Sequence, residues 1–312
     1  LEERIAAFYG MESSYTFTSC WNANEAVFPT LCDPGDLILS DELNHASIID
    51  GVRLAAVIKK GLHKGVYRHS DLDHLRTRLE EARDNPAVTG QVWVVTDGVF
   101  SMEGDIADLP GIRALCDEFG AKLVVDDSHG TGVMGETGRG THEHWGMAGE
   151  ELDLVTGTLG KALGGGAGGY MVGSEAMIQL MIQRGRPTLF SNALPATIAF
   201  SADKAIELMM DDPGRVARLR ANTDAAREGI RKVGFEVLES PTAICPIIVH
   251  DTARAIAMSQ RLLELGVFVI GFGYPVVPEG EARLRVQISA AHGPEHLAAL
   301  TDQLGVIKAE FA

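Results

Sequence analysis

Short apolar runs alternate with stretches of helical periodicity over the first two thirds of the chain. Apolar runs bounded by polar or glycine-containing turns predict β-strands at residues 14–19, 37–41, 65–69, 91–99, 122–129 and 152–157. Between these runs, apolar positions recur at helical spacing over 22–31, 45–57, 72–84 and 109–120. Strands that alternate with helices in this way predict an α/β fold with a mostly parallel sheet covered by helices.

The pattern changes beyond residue 195. Long helical patterns cover 195–211 and 215–234, and short strands are then predicted at 235–240, 245–250, 267–272 and 282–289, before a final helix over 294–311. This change predicts a large domain at residues 1–205 and a smaller C-terminal α/β domain at residues 206–312. The chain opens on a helix-like segment, and we expect that residues belonging before Leu1 are absent.

Composition and charge narrow the classes of function. The chain has 312 residues, with 43 acidic against 27 basic side chains and a net charge of -16. Such a surface repels nucleic acid and anionic membranes, and no apolar run is long enough to span a bilayer. The four cysteines show neither CxxC nor zinc-site spacing, so we expect reduced thiols, no metal site and a cytoplasmic location.

Polar side chains collect where three of the predicted strands end. They are Asp97, Ser101 and Glu103 after the first, Asp126, Asp127, Ser128 and His129 after the second, and Thr156, Thr158 and Lys161 after the third. One polar strand end is commonly just a turn. Because the carboxyl ends of parallel strands meet at the same edge of a sheet, three such ends favour a functional site there.

Lys161 stands directly before a glycine-rich segment, which suggests either a phosphate-binding loop or a lysine that bonds a cofactor. The nucleotide-binding motif G-x-x-x-x-G-K-[ST] does not fit, because the glycine spacing differs and Ala162 replaces the hydroxyl residue that binds the metal. A Schiff base between Lys161 and the aldehyde of pyridoxal 5'-phosphate (PLP) fits better. Asp126 would keep the pyridine nitrogen protonated, and the helix start in "TSCWNANEAV" offers backbone N–H groups to the phosphate.

These features occur within a series of longer motifs that run through the whole chain. The motifs include "SCWNAN", "DELNHASIIDGVRL", "TDGVFSMEGDIADL", "VVDDSHGTGVMGETGRG", "TGTLGKALGGGAGGY", "RGRPTLFSNALP" and "LRVQISAAH". The sequence resembles the α-oxoamine synthases, a family of fold-type I PLP-dependent transferases. The resemblance implies a large domain with a mostly parallel seven-stranded sheet flanked by helices, a smaller C-terminal α+β domain, a homodimer with a shared active site, and an N-terminal arm that is missing here.

The resemblance also implies roles for individual residues. Lys161 would form the Schiff base, Asp126 would pair with the pyridine nitrogen and His129 with the ring oxygen. His45 would lie over the ring face near substrate, and Arg285 would bind the substrate carboxylate. The remaining cofactor-binding residues would be Cys20, Trp21 and Thr158 at the phosphate, Ser101 and Ser128 near the cofactor, and Ser191 and Asn192 at the phosphate of a neighbouring subunit.

The residues alone leave several assignments open. Arg283 and Arg285 share a strand face, so spacing alone does not choose between them, whereas the resemblance selects Arg285. Asn44 is a better predicted helix cap than His45. Cys20 is expected to be a packing residue rather than a nucleophile, and Asp127 is expected to face away from its neighbour Asp126.

The narrower motifs "TGTLGKALGG" and "RPTLFSN" resemble the family member that condenses glycine with acetyl-CoA to 2-amino-3-oxobutyrate and CoA, a reversible reaction that serves threonine breakdown. A sibling synthase, using alanine with pimeloyl-CoA, glycine with succinyl-CoA or serine with a long acyl-CoA, would need the same catalytic set. A non-catalytic regulatory or structural subunit of this fold is a further alternative. Such subunits typically lack the lysine, which is present here.

Overall fold

The computed structural model describes residues 1–164 and 166–311, so Gly165 of the glycine-rich segment and Ala312 lie outside the described residues. The chain forms two compact units. The first contains Leu1–Phe100 and Ala107–Pro213, and the second contains Ser101–Ile106 together with the chain from Gly214 onward. The boundary predicted between residues 205 and 206 falls inside one continuous helix, Ala196–Asp211, and the units divide after Pro213 instead.

A seven-stranded sheet forms the centre of the first unit. Its strands are β1 (Ser13–Phe17), β2 (Leu37–Asp41), β3 (His63–Tyr67), β4 (Val92–Asp97), β5 (Lys122–Asp126), β6 (Leu154–Thr158) and β7 (Gly169–Gly173). They are ordered β1-β7-β6-β5-β4-β2-β3. The neighbours from β3 to β6 pair in parallel, whereas β7 is antiparallel to both β6 and β1. The predicted mostly parallel sheet is therefore confirmed.

The helices of the first unit are α1 (Glu2–Tyr9), α2 (Cys20–Leu31), α3 (Ala46–Ile58), α4 (Leu72–Asp84), α5 (Leu109–Phe119), α6 (Thr141–His144), α7 (Glu175–Arg184), α8 (Arg186–Phe190) and α9 (Ala196–Asp211). Local chemistry sets their ends. Helix α5 begins after Asp108, whose side chain accepts a hydrogen bond from the backbone N–H of Gly111, and it ends at Gly120 in the left-handed conformation. Helix α2 packs against α3 and against β6 and β7 of the sheet.

Strand β7 and helices α7 and α8 are features of the first unit that the sequence pattern did not predict. Strand β7 begins with glycine and follows the glycine-rich segment, so its apolar run is short. Its residues are all buried between β1 and β6. A Cβ atom on Gly169 would overlap the backbone nitrogen of Cys20, so glycine is needed where β7 passes the start of α2.

The second unit contains a three-stranded antiparallel sheet with the order β8-β10-β9, where β8 is Ile244–His250, β9 is Ile270–Phe272 and β10 is Ala282–Gln287. Its helices are α10 (Gly214–Val233), α11 (Thr252–Glu264) and α12 (Pro294–Glu310). The strand predicted at 235–240 is wrong, since only an isolated bridge joins Val237 to Ile247. Helix α11 was not predicted, and the strand predicted at 267–272 is confined to its last three residues.

Candidate active site

The carboxyl ends of β4, β5 and β6 form one continuous edge, which we call the carboxyl edge. Asp97 at the end of β4 is the paired neighbour of Asp126 on β5. Asp126 is in turn the paired neighbour of Thr156 on β6. The prediction that polar groups from three strands meet at one edge is therefore confirmed.

Asp126 is buried at the centre of the carboxyl edge, and hydrogen bonds reach both of its carboxylate oxygens. Asn24 Nδ2 donates to Oδ2 at 2.6 Å, and the backbone N–H of Ser128 donates to Oδ1 at 2.9 Å. The Cys20 thiol lies 3.7 Å from Oδ2. Donors from α2 and from the loop after β5 thus fix the direction in which this carboxylate points.

Asp127, the next residue, has hydrogen-bond partners that differ from those of Asp126. Its carboxyl group is buried and accepts hydrogen bonds from the backbone N–H of Thr141 at 2.8 Å and from Thr141 Oγ1 at 2.5 Å. Burial raises the pKa of Asp127 to about 7. The two neighbouring aspartates thus have different partners, as expected if they face in different directions: Asp126 binds Asn24, and Asp127 binds Thr141 in the loop that leads from β5 to α6.

The N-terminus of α2 lies beside Asp126 and provides a positive helix end. Ser19 caps this helix by accepting a hydrogen bond from the backbone N–H of Asn22 at 3.2 Å, and the first turn contains no acidic residue. Backbone N–H groups in the first turn of a helix have no acceptor within the helix and favour an anion. Cys20 and Trp21, the predicted phosphate-binding residues, are the first two residues of α2.

The Cys20 thiol is poorly suited to act as a nucleophile. Burial and the negative charge of Asp126 raise the pKa of Cys20 well above its ordinary value. The thiol also accepts a hydrogen bond from Ser128 Oγ at 3.3 Å. These contacts support the expectation that Cys20 is a packing residue.

His45 lies at the start of α3 and caps that helix, because its Nδ1 accepts a hydrogen bond from the backbone N–H of Ser47 at 3.2 Å. The prediction that Asn44 is the cap is wrong. The Asn44 side chain instead binds the backbone of β4, donating to the Val95 carbonyl at 2.9 Å and accepting from the backbone N–H of Asp97 at 2.7 Å. The Trp21 ring meets the His45 ring edge-on at 6.1 Å.

Lys161 follows β6 in an exposed turn, and its positive charge acts on the groups at the carboxyl edge. Burial lowers the pKa of His45; the charge of Asp126 opposes that effect, and the charge of Lys161 adds to it. Lys161 also counteracts the burial-driven rise in the pKa of Cys20 and of Asp97. The charges of Lys161 and Asp126 therefore both influence the pKa of His45, as expected for an amine and a carboxylate of one site.

Two hydrogen bonds of the Thr158 hydroxyl stabilise the turn that contains Lys161. The Thr158 hydroxyl accepts a hydrogen bond from the backbone N–H of Gly160 at 3.1 Å and donates to the Gly168 carbonyl at 3.2 Å. This hydroxyl therefore ties the beginning and the end of the glycine-rich segment together. His129 is half-buried in the loop that follows Asp126.

Ser191 and Asn192 are exposed at the end of α8. Within the described part of the chain, neither makes a hydrogen bond to the cluster around Asp126. Two exposed aromatic side chains, Phe190 and Phe200, flank this segment in the sequence. The structure of a single chain thus does not bring these two predicted residues to the carboxyl edge.

The second unit contains the two arginines that the sequence left as alternatives, and the structure gives them different surroundings. Arg283 is buried, and its guanidinium contacts the carboxylates of Glu103 and Glu281 at 3.2 and 3.1 Å. Arg285 is half-buried and donates from Nε to the carbonyl of Ser101 at 2.6 Å. The charge of Arg283 is thus matched inside the protein, and no carboxylate partner of Arg285 is found among the described residues.

Two buried residues that contact the cluster around Asp126 and His45 were not predicted from the sequence, Asn24 on α2 and Ser47 on α3. Both are buried polar side chains in helices whose other buried residues are mostly apolar. A polar residue on the apolar face of a helix generally has a partner, so Asn24 offered a detectable sign. Which partner it meets depended on the tertiary fold.

The donor set fits PLP. Among residues 1–164 and 166–311, no group of three or more His, Cys, Asp and Glu side chains could hold a metal ion. The groups that converge are a bonded carboxylate, a lysine amine, an imidazole and a helix N-terminus without acidic residues. These match the pyridine nitrogen, the aldehyde, the ring face and the phosphate of that cofactor.

Comparison with known proteins identifies the family. A model of the aminotransferase class I and II family matches residues 1–304. The chain belongs to this family. Among curated relatives in the aminotransferase class I and II family, the mitochondrial 2-amino-3-ketobutyrate coenzyme A ligase of Mus musculus is 44% identical over 95% of this chain and 69% of its own length.

A second relative has the same level of identity and a different name. The 8-amino-7-oxononanoate synthase of Symbiobacterium thermophilum is 44% identical over 95% of this chain and 73% of its own length. A solved structure of SPT (serine palmitoyltransferase) with PLP as internal aldimine superimposes with a TM-score of 0.92 at 29% identity, over 99% of this chain and 75% of that one. The expected fold-type I architecture is thereby confirmed. No helix in the described part of this chain has the length and apolar character required to cross a membrane.

Proposed function

We propose that this chain is a PLP-dependent acyltransferase that condenses glycine with acetyl-CoA to give 2-amino-3-oxobutyrate and CoA, and that it also runs the reverse reaction. The observation that carries the proposal is the convergence of Asp126, Lys161 and His45 at one sheet edge. The 44% identity to a 2-amino-3-ketobutyrate coenzyme A ligase, over nearly the whole chain, supports the choice of substrates.

When bound, PLP withdraws electrons from the carbon next to the amine of its substrate. Asp126 would hold a proton at the pyridine nitrogen, which strengthens this effect, and its two hydrogen bonds keep the carboxylate aimed. His129 would bind the ring oxygen. The N-terminus of α2 at Cys20 and Trp21 would bind the phosphate, assisted by Thr158.

Lys161 would hold the cofactor through its amine, and the same amine would serve as the base for glycine. The amine of Lys161 then removes a proton from the α-carbon of glycine. Two hydrogen bonds of Thr158 stabilise the turn in which Lys161 lies.

His45 would act on the second substrate. Because burial lowers its pKa, the imidazole is neutral at the pH of the cytoplasm and can donate one hydrogen bond. As the glycine carbon attacks the carbonyl carbon of acetyl-CoA, the thioester oxygen gains negative charge before CoA leaves as the thiolate. A donor placed at that oxygen stabilises the charge. Trp21 limits the movement of the ring from one side.

Arg285 would bind the carboxylate of glycine. A guanidinium offers two parallel N–H donors to a carboxylate, and no carboxylate of the described residues occupies that of Arg285. We further propose a homodimer in which Ser191 and Asn192 of one subunit contact the phosphate bound by the other. Their exposure in a single chain is compatible with that arrangement. The free thiols of the chain are consistent with a reducing compartment such as the cytoplasm.

The test of the cofactor site is reduction of the purified protein with borohydride, followed by peptide mass spectrometry. We expect a pyridoxyl group on the peptide that contains Lys161. Lys161→Ala should lose both this label and turnover, while the exposed-lysine control Lys64→Ala keeps both. A label on another lysine, or no label at all, would refute the site.

A second candidate function is that of an 8-amino-7-oxononanoate synthase, which the equally similar relative from Symbiobacterium thermophilum favours. Steady-state assays that combine glycine or alanine with acetyl-, succinyl- or pimeloyl-CoA separate the two. We expect the highest kcat/KM for glycine with acetyl-CoA. Equal or better turnover of alanine with pimeloyl-CoA would replace our assignment by the second one.

A further inference from the structure

We propose that Asn24 and Ser47 form a hydrogen-bond relay from Asp126 to His45 that fixes the His45 ring in the tautomer with its proton on Nε2. Both residues are buried, and Asn24 is 2% exposed. The relay joins the group assigned to the pyridine nitrogen with the group assigned to the thioester. Its role in the reaction rests on the proposed function, whereas the relay itself rests only on contacts within this chain.

The carboxylate of Asp126 sets the direction of the first bond. A carboxylate oxygen only accepts, so the amide of Asn24 must turn its Nδ2 towards Asp126 Oδ2, at 2.6 Å. The other end of the amide agrees with this orientation, because Asn24 Oδ1 accepts a hydrogen bond from Thr156 Oγ1 at 2.7 Å. The Asn24 side chain is therefore locked from both ends.

The second N–H of the Asn24 amide donates to Ser47 and so fixes the direction of the next hydrogen bond. Asn24 Nδ2 lies 2.9 Å from Ser47 Oγ and 3.8 Å from Cys20 Sγ, and the oxygen is both the nearer and the stronger acceptor. The Ser47 hydroxyl has a single hydrogen. Since its oxygen accepts from Asn24, this hydrogen is available for His45 Nδ1, which lies 2.7 Å away.

His45 Nδ1 therefore receives two donors. The backbone N–H of Ser47 is the second, at 3.2 Å. A ring nitrogen that accepts hydrogen bonds carries no proton in the neutral imidazole, so the proton resides on Nε2. His45 then offers an N–H donor on the ring side opposite the relay, as its proposed role at the thioester oxygen requires. Asn24 and Ser47 are positioning residues that act through His45.

The direct test is the protonation pattern of the His45 ring in the PLP-loaded protein. Two-bond ¹⁵N–¹H correlation NMR on protein with ¹⁵N-labelled histidine distinguishes the two tautomers, and the His45 signals are assigned by their loss in His45→Gln. We expect the Nε2-protonated pattern in the wild type. A predominantly Nδ1-protonated ring would overturn the proposal.

Ser47→Ala removes one of the two donors to Nδ1 and should shift the tautomer ratio towards Nδ1–H by about fivefold, the effect of one ordinary hydrogen bond. Ser47→Cys keeps a donor of similar shape that is larger and weaker than the hydroxyl, and it should shift the ratio less, in the same direction. The matched control is Ser40→Ala, since Ser40 Oγ also accepts from an asparagine amide, that of Asn44, at 2.9 Å without contacting His45. Thermal unfolding establishes that each variant is folded, and a folded Ser47 variant with an unchanged ratio would also overturn the proposal.

Kinetics separate the relay from the proposed function. In Ser47→Ala we expect kcat/KM for acetyl-CoA to fall by about fivefold, while KM for glycine stays within about twofold. If the wild type does not turn over glycine with acetyl-CoA, the proposed function is refuted and the NMR result still decides the relay. If the wild type is active and the NMR shows a predominantly Nδ1-protonated ring, the relay is refuted and the function stands.

Discussion

Asp97 and Asp126 are paired residues on neighbouring parallel strands, yet their carboxyl groups are held in different ways. Both oxygens of Asp126 accept hydrogen bonds. Asp97 accepts one, from the backbone N–H of His45 at 3.0 Å, and its buried Oδ1 has no hydrogen-bond partner among the described residues. Burial first, and the charge of Asp126 second, raise the pKa of Asp97 well above its ordinary value.

This difference predicts how Asp97→Asn alters stability. The folded state keeps the Asp97 proton to higher pH than the unfolded state, so the wild type loses unfolding free energy as pH rises above about 4, the ordinary pKa of an aspartate. Asparagine cannot ionise and avoids this loss. In urea unfolding between about pH 5 and about pH 8, the free energy of unfolding of the variant should rise relative to that of the wild type as the pH increases. A free energy of unfolding that depends on pH in the same way in the variant and the wild type would contradict the prediction. The control is Asp50→Asn, because Asp50 is exposed.

The titration of His142 should make the free energy of unfolding change with pH in the opposite direction, in the acidic range. Its ring is buried and stacks on Tyr9 at 5.4 Å, and burial lowers its pKa to about 4. The unfolded state therefore takes up a proton before the folded state does, and stability is lost as pH falls from about 6.5 to about 4.

His142→Phe keeps a stacked ring and removes the titration. At pH 7 we expect similar unfolding free energies, whereas near pH 4 the wild type should have lost on the order of 3 kcal/mol that the variant retains. Urea midpoints measured every half pH unit give the comparison. A variant that loses stability in step with the wild type would mean that another group titrates in this range.

Gly130 should tolerate no side chain. A Cβ atom there would overlap Asp127 Oδ1 and Thr141 Oγ1, which are hydrogen-bonded to each other in the buried loop after β5. Gly130 does not adopt a positive φ, so the cost of Gly130→Ala is steric and should be about 1 to 3 kcal/mol. Gly305 on α12 has open space around it, and Gly305→Ala should instead stabilise the protein by about 0.5 to 1 kcal/mol. Equal effects of the two alanines in thermal unfolding would exclude this account.

Substitution of Arg283 should lower stability, whereas substitution of Arg285 should weaken the binding of glycine. Arg283→Gln removes the cation that contacts Glu103 and Glu281 and should cost on the order of 2 kcal/mol. The cost is moderate because the Glu281 carboxylate is accessible to water. Arg285→Gln should leave stability nearly unchanged and raise KM for glycine by on the order of a hundredfold, with little effect on KM for acetyl-CoA. The paired measurement of unfolding free energy and KM decides the assignment. If Arg283→Gln alone raises KM for glycine, the two arginines must exchange roles.

Some elements could be predicted from the sequence because their causes are local. Helix α4 forms over the predicted residues 72–84, where Asp71 caps the first turn and leucines recur at helical spacing. The ends of β4, β5 and β6 were predicted from apolar runs that stop at polar residues. Strand β7 was missed because glycine obscures its pattern, and residues 235–240 were assigned to a strand from an apolar run that pairs only at Val237.

The sequence by itself determined the succession of strands and helices, the edge at which Asp97, Asp126 and Lys161 occur, and, through its motifs, the family. Only the tertiary structure decided that Asn24 meets Asp126, that His45 rather than Asn44 caps α3, and that the charge of Arg283 is matched inside the protein. The reason is physical: hydrophobic periodicity reports burial along a short stretch of chain, whereas a polar atom chooses its partner among groups that folding brings together from distant positions.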